Sequence, residues 1–142
     1  MRVMTLILFG YLYIAAGGAQ GPRCLPYEPK SVTLDGVVYA KDFPGPPNYE
    51  SFRRGDQRMR YWILRLGKPI CVEGPPDQID VREDNIREIQ LVFRDDSFYK
   101  RYRSWIKRRA RFRVNGTLYH RHTGHHVRTI LITVQSFVPQ RS

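Results

Sequence analysis

At 142 residues the chain is long enough for one modest hydrophobic core and too short to need two domains. Its 24 Lys and Arg outweigh 13 Asp and Glu for a formal net charge of +11, which points to anionic partners. The two cysteines have no CxxC spacing, which argues against a cysteine metal site, and no apolar run reaches the roughly 20 residues that cross a hydrocarbon core.

Residues 1–19 have the layout of a secretory signal peptide. Arg2 gives a positive start, Val3 to Ala16 is mostly apolar, and Gly17-Gly18-Ala19 supplies small residues before Gln20. No lipobox-like Leu-Ala-Gly precedes Cys24, so lipid attachment is not expected. Residues 20–142 are therefore expected to form a single exported domain, periplasmic or secreted. In an oxidising compartment an even cysteine count favours pairing, so Cys24 and Cys71 are expected to form a disulfide.

Val32 to Tyr39 alternates as a first strand. The run Pro44-Gly45-Pro46-Pro47-Asn48-Tyr49 then predicts a loop that extends to Gly55-Asp56, because three prolines remove backbone donors. Arg60 to Leu66 resumes alternation, with Trp62 and Leu64 on one side and Tyr61, Ile63 and Arg65 on the other. Gly67-Lys68-Pro69 predicts a turn, Ile70 to Val72 a short continuation, and Gly74-Pro75-Pro76 another loop. Ile86 to Phe93 is a third strand.

A helix capped by Asp95 or Asp96 follows, with Phe98, Tyr102, Trp105 and Ile106 at helical spacing. These aromatics read as core and not as a base-stacking platform. Ala110 to His120 places Ala110, Phe112, Val114, Gly116 and Leu118 inward, Thr123-Gly124 turns, and Val127 to Phe137 closes the pattern. Three strands, a helix and two strands, with a glycine inside the fourth strand to let it bend, predict an all-β fold with one helix: a small five-stranded Greek-key barrel of the OB type.

Two segments stand out from that scaffold. In an OB barrel the loop after the first strand and the loop between the fourth and fifth flank one binding face. The first is Pro44 to Ser51, and the second is His120-Arg121-His122-Thr123-Gly124-His125-His126, which holds all four histidines of the chain. Across the groove between them, Asn48, Tyr49, Glu50, His122, His125 and His126 are candidates for polar contacts, and Arg111, Arg113 and Arg121 for charge. His120, His122 and His125 (or His126), with Glu50 or Asp56 opposite, are also candidate ligands for Zn(II) or Cu(II), although Arg121 and Arg128 nearby disfavour a cation. A third reading is structural, with loop and hairpin pinning each other. Neither a Gly-x-Ser-x-Gly, a His-Glu-x-x-His nor a phosphate loop occurs, so catalysis has no sequence support.

Pro44 to Ser51, Gly55-Asp56, Trp62-Ile63-Leu64, Pro69-Ile70-Cys71-Val72, Ile89-Gln90-Leu91 and Thr123-Gly124-His125-His126 together resemble an uncharacterised exported bacterial family, domain of unknown function 4431. The resemblance runs from Cys24 to about Val134 and implies a secreted or periplasmic OB-like domain with no assigned activity. The chain departs from the family pattern at Val127-Arg128-Thr129, where a further histidine and a threonine are expected, and at Trp105 to Arg109, which lacks a glycine.

From Ser97 to Ser142 there are eleven Lys or Arg residues and no Asp or Glu. Together these features predict an exported, non-enzymatic binding module without a required cofactor. Its expected partner is an anionic envelope polymer or another secreted protein. A membrane surface is a further candidate, and nucleic acid is disfavoured by the exported setting.

Overall fold

The computed structural model describes residues 24–74 and 82–140. The leader and the Pro75-Pro76 loop lie outside the described residues. The chain is mostly β with one helix. Its elements are β1 (Leu25–Pro26), β2 (Ser31–Pro44), a 3-10 turn (Phe52–Arg54), β3 (Arg58–Glu73), β4 (Glu83–Val92), α1 (Ser97–Lys107), β5 (Arg111–His120) and β6 (Ile130–Pro139). Among the described residues, no helix is long and apolar enough to cross a membrane.

The strands form one six-stranded sheet in the order β1-β3-β2-β5-β6-β4, and β3 also pairs with β4. Following the pairings from β2 through β5, β6, β4 and β3 therefore leads back to β2. All pairs in this circuit are antiparallel except β4 with β6, which are parallel. A parallel pair needs a long crossover, and α1 with β5 supplies it.

Strict alternation along β5 buries Phe112, Val114, Gly116 and Leu118 and leaves Arg111 and Arg113 exposed. Gly116 sits where the β5–β6 register shifts, and a Cβ there would overlap the Thr133 carbonyl oxygen, so only glycine allows this approach. Helical spacing lays α1 on aromatic residues of the sheet and of the segment after β4: Tyr99 packs edge-on to Trp62, Phe98 stacks on Phe93, and Tyr102 meets Phe112 and Phe137. Ile106 is the buried residue of the helix. Asp96 occupies the cap position without a side-chain hydrogen bond, while Asp95 Oδ1 accepts from the Ser97 amide at 2.7 Å.

Three expectations need correction. β2 does not stop at Tyr39 but runs to Pro44, paired with Arg58 to Tyr61 over its last four residues. A proline at the last position of a strand forfeits only one donor, so the ladder reaches it. Gly67-Lys68-Pro69 does not end a strand, because β3 continues through it with a register shift between Arg65 and Ile70 that absorbs the irregularity. The sheet has six strands and not the expected five, because the short β1 adds to β3. Ile63, on the side opposite Trp62 and Leu64, is fully buried, and its cover is described with the site below.

Cys24 and Cys71 are joined, and beside this bond Leu25 and Pro26 pair with Val72 and Glu73 as the short β1, too brief to leave a periodic signal. The bond closes a separation of 47 residues, so restricting the unfolded chain should stabilise the fold by about 3–4 kcal/mol. Replacing both cysteines (C24S with C71S) is expected to lower the unfolding free energy by that amount in urea titration. An unchanged midpoint would remove the disulfide from the stability of the fold.

Candidate functional site

The proline loop is organised around one carboxylate. Asp56 is 7% exposed, and its Oδ2 accepts from the Glu50 and Ser51 amides, both at 2.8 Å. Its Oδ1 accepts from the Asn48 amide at 3.0 Å and from Asn48 Nδ2 at 3.3 Å. These bonds, those from Ser51 first, hold its carboxyl below the ordinary 3.8 despite burial. Asp56 is thus committed to the loop backbone and is not presented as a ligand.

The same turn sets Tyr49 in the left-handed region at φ 59°, a conformation that needs its surroundings to hold it. Its amide binds the Gly45 carbonyl at 2.9 Å, and its side chain is held from 76 residues away. The Tyr49 hydroxyl meets His125 Nε2 at 3.1 Å, the two rings pack edge-to-face at 5.3 Å, and Gly124 lies against the Tyr49 ring. On its other side His125 Nδ1 meets the Tyr61 hydroxyl at 3.3 Å. The two distinctive segments therefore touch, and the space expected as a groove between them is occupied by this contact.

Gln90, which the sequence reading passed over as a site residue, fastens the hairpin. It is 2% exposed, donates from Nε2 to the His125 carbonyl at 3.1 Å, and accepts the Val127 amide on Oε1 at 2.7 Å. Ile63 and Leu131 flank Gln90 in register, and both are fully buried although neither belongs to the main core cluster. Binding of residues 125–127 to Gln90 lays hairpin backbone over this row, which explains why Ile63 is covered on a face that alternation assigns to solvent.

A second polar group adjoins this row. Glu88 Oε1 accepts from the Tyr39 hydroxyl at 2.8 Å and from Arg65 Nη2 at 2.9 Å, while its Oε2 accepts from Arg128 Nε at 2.9 Å. Burial pushes the Glu88 carboxyl up, but the Tyr39 and Arg65 hydrogen bonds and the Arg128 charge outweigh it and hold it below the ordinary range. Arg128 is therefore bound into the fold.

The remaining histidines go elsewhere. His120 Nε2 lies 3.1 Å from Glu83 Oε1, and its Nδ1 lies 3.0 Å from the Arg121 carbonyl. His122 and His126 pack edge-to-face at 4.6 Å beside Tyr119, and His126 Nδ1 accepts the His122 amide at 3.0 Å. Burial first, then the proximity of His122 and His125, pushes the His126 imidazole below its ordinary 6.5, consistent with a neutral ring that accepts at Nδ1. Among the described residues, the one set of three ligand atoms within 4.8 Å of each other belongs to Cys24, Cys71 and Asp84, and both cysteines are spent on the disulfide. The nitrogens of His120, His122 and His125 do not converge in this way.

Of the other candidates, Asn48 turns to Asp56, and Glu50 forms an exposed pair with Arg54 at 2.9 Å. Arg113 is bound to Asp35 through two bonds of 2.9 and 3.0 Å. Arg111 and Arg121 are exposed and pair with no carboxylate among the described residues. Ser51 Oγ accepts the Arg53 amide at 3.2 Å and serves as the cap of the 3-10 turn. Two hollows open nearby. One of about 330 Å³ lies beside Tyr119, His120, Arg121 and His122, and one of about 570 Å³ lies between α1 and the β2–β3 pair.

Residues 88–137 match the model of the family described as Domain of unknown function (DUF4431), the family that the sequence motifs resemble. The matched span runs from β4 through α1 and β5 into β6 and includes Gln90 and all four histidines. Among curated proteins, none matches the chain.

Gln90→Ala would leave the part-buried bonds to the His125 carbonyl and the Val127 amide unmade, and an orphaned buried polar group costs about 1–3 kcal/mol. The variant is expected to lose about 2–3 kcal/mol in urea unfolding and to lose hydrogen-exchange protection first at Val127. Unchanged protection at Val127 would mean that another contact fastens the hairpin.

Proposed function

We propose that this chain is an exported OB-like binding module that holds an anionic envelope partner on a basic surface and catalyses no reaction. Three features support the exported OB-like part. The circuit β2-β3-β4-β6-β5-β2, with one parallel pair and α1 between β4 and β5, follows the Greek-key order of a five-stranded OB barrel. The Cys24–Cys71 bond suits an oxidising compartment. Residues 1–19 read as a leader.

Unpaired positive charge carries the binding part. Of the basic residues from Ser97 onward, Arg113 and Arg128 are bound to Asp35 and Glu88, whereas Lys100, Arg101, Arg103, Lys107, Arg108, Arg109, Arg111 and Arg121 pair with no carboxylate among the described residues. Like charges crowded on one helix and its neighbours repel each other, and a polyanion relieves that repulsion while releasing its own counterions. Arg111 and Arg121 remain candidates for contact under this reading. Arg113 contributes less, because Asp35 already neutralises it.

A second reading is favoured by the Tyr49–His125 contact: the loop and hairpin form a clamp whose role is to stabilise the fold. Tyr49→Ala and His125→Ala are each expected to lower stability by about 1–3 kcal/mol, and the double variant by less than their sum. Unchanged melting temperatures would remove the clamp reading.

Heparin tests the basic surface. Calorimetric titration of the exported protein is expected to give an affinity that falls steeply between 50 and 200 mM salt, by about tenfold or more. Arg101 on α1 and Arg108 at its C-terminal cap are both exposed, so R101E with R108E should weaken heparin binding at low salt by about tenfold. Binding that ignores both salt and the two substitutions would overturn the proposal.

A further inference from the structure

Beyond the point where β5 ends its pairing with β2 at Val37, β2 and β3 continue as a two-stranded ribbon with α1 alongside. The cavity of about 570 Å³ lies there. Its existence follows from side-chain size. Ala40 pairs with Trp62 in the ribbon and leaves the space above it open, while Trp62 and Ile106, 4% and 5% exposed, form a floor with Tyr99 and Met59 beside them.

The helix supplies the other wall with an ordered sequence of groups. Asp96, Tyr99, Arg103 and Lys107 are spaced by three or four residues and so run along one flank. At 1.5 Å rise per residue, Lys107 lies roughly 16 Å along the axis from Asp96. One end of the groove is thus acidic, the middle is aromatic and aliphatic, and the far end is basic.

Arg60 also reaches the rim, but it is spent. Its guanidinium binds Asp42 at 2.6 and 3.0 Å, and the Arg60 bond, opposed by burial and joined by Arg58, lowers the Asp42 pKa to about 2. Arg103 and Lys107 have no such partner among the described residues. The carbonyls that end α1 carry a partial negative charge of about half a unit, which the full charge of the Lys107 ammonium outweighs. At the opposite end the Ser97 amide already binds Asp95 Oδ1.

We propose that this groove takes a single-chain anionic amphiphile, with its hydrocarbon over Trp62, Tyr99 and Ile106 and its phosphate, sulfate or carboxylate head between Arg103 and Lys107. Charge complementarity fixes the occupant. A ligand charged at one end only matches a groove whose other end is acidic, whereas a polyacidic peptide would set a second charge against Asp96. The site goes beyond the polyanion surface: Arg103 and Lys107 flank the groove, whereas Arg101 and Arg108, exposed on and after α1, do not line it and serve the polyanion surface alone.

Isothermal titration of the exported protein with free alkyl phosphates below their micelle concentrations tests this. One decyl phosphate per chain is expected, with affinity rising about fivefold or more for each two methylenes from hexyl to decyl, and no binding of inorganic phosphate. Ala40 is exposed, so A40W should fill the groove without disturbing the core and abolish binding. R103E with K107E should weaken it by about tenfold or more, and these exposed positions carry the test if A40W does not fold. R101E with R108E should weaken heparin and leave decyl phosphate within about twofold, which separates the two proposals. The inference is overturned if decyl phosphate does not bind, if A40W and the charge reversals leave its binding unchanged, if hexaglutamate displaces it, or if only phosphatidate vesicles bind and the free monomer does not.

Discussion

β3 pairs with β2 from Arg58 to Leu66 and with β4 from Ile63 to Val72, so a single strand must serve two partners and overlap them by only a few residues. A flat strand does not do this, and the register shift between Arg65 and Ile70 is where the direction changes. Each half then carries a different load. The first extends beyond the sheet circuit as a ribbon with β2, which presents the proline loop at its tip and the α1 groove along its side. The second reaches Cys71 and fixes the start of the domain through Cys24 and β1.

Because the ribbon and the β5–β6 connection rise on the same side of the sheet, the outer face between them does not stay open. Ile63, Gln90 and Leu131 form a row across three strands there, and an exposed row of two large aliphatic residues would cost solvation free energy. The hairpin folds down over it, but its backbone brings a carbonyl and an amide into a place where water is scarce. A single amide side chain answers both, since Gln90 offers a donor and an acceptor at once. Tyr49 and Tyr61 then satisfy His125 from the opposite wall. Apolar burial and polar satisfaction are coupled here, which is why the contact between the two loops is specific in geometry as well as favourable in area.

This also explains what the sequence disclosed and what it concealed. Alternation in β5 and helical spacing in α1 were legible because each reports one buried face against one solvent face, and Phe112, Val114, Leu118 and Ile106 are buried accordingly. The meeting of the proline loop and the histidine hairpin was legible from the expected strand order alone. The burial of Ile63 was not, since it depends on a segment more than sixty residues later and local alternation has no access to that. The role of Gln90 was hidden for the same reason, since its partners lie on the hairpin more than thirty residues later. The continuity of β3 was concealed by Gly67-Lys68-Pro69, which has turn composition but is accommodated as an irregularity between paired stretches. The histidines, adjacent in sequence, suggested one cluster. A tight turn instead distributes them over separate environments, and His125 faces the loop while His122 and His126 face Tyr119.

The acidic residues explain the distribution of positive charge. Asp35 binds Arg113 across β2 and β5, Asp42 binds Arg58 and Arg60 within the ribbon, Glu88 gathers Arg65 and Arg128, and Asp56 holds the loop backbone. Each carboxylate joins strands or segments that the fold must bring together, and each lies N-terminal to Ser97. Arginines from the second half are neutralised only where pairing carries them back to this acidic first half, as β5 does for Arg113 and the hairpin does for Arg128. α1 has no such neighbour, because its inward side meets aromatic rings and its outward side meets solvent. The net charge of +11 therefore concentrates on the helix and its margins as a consequence of topology, and those margins are where the groove and the polyanion surface lie.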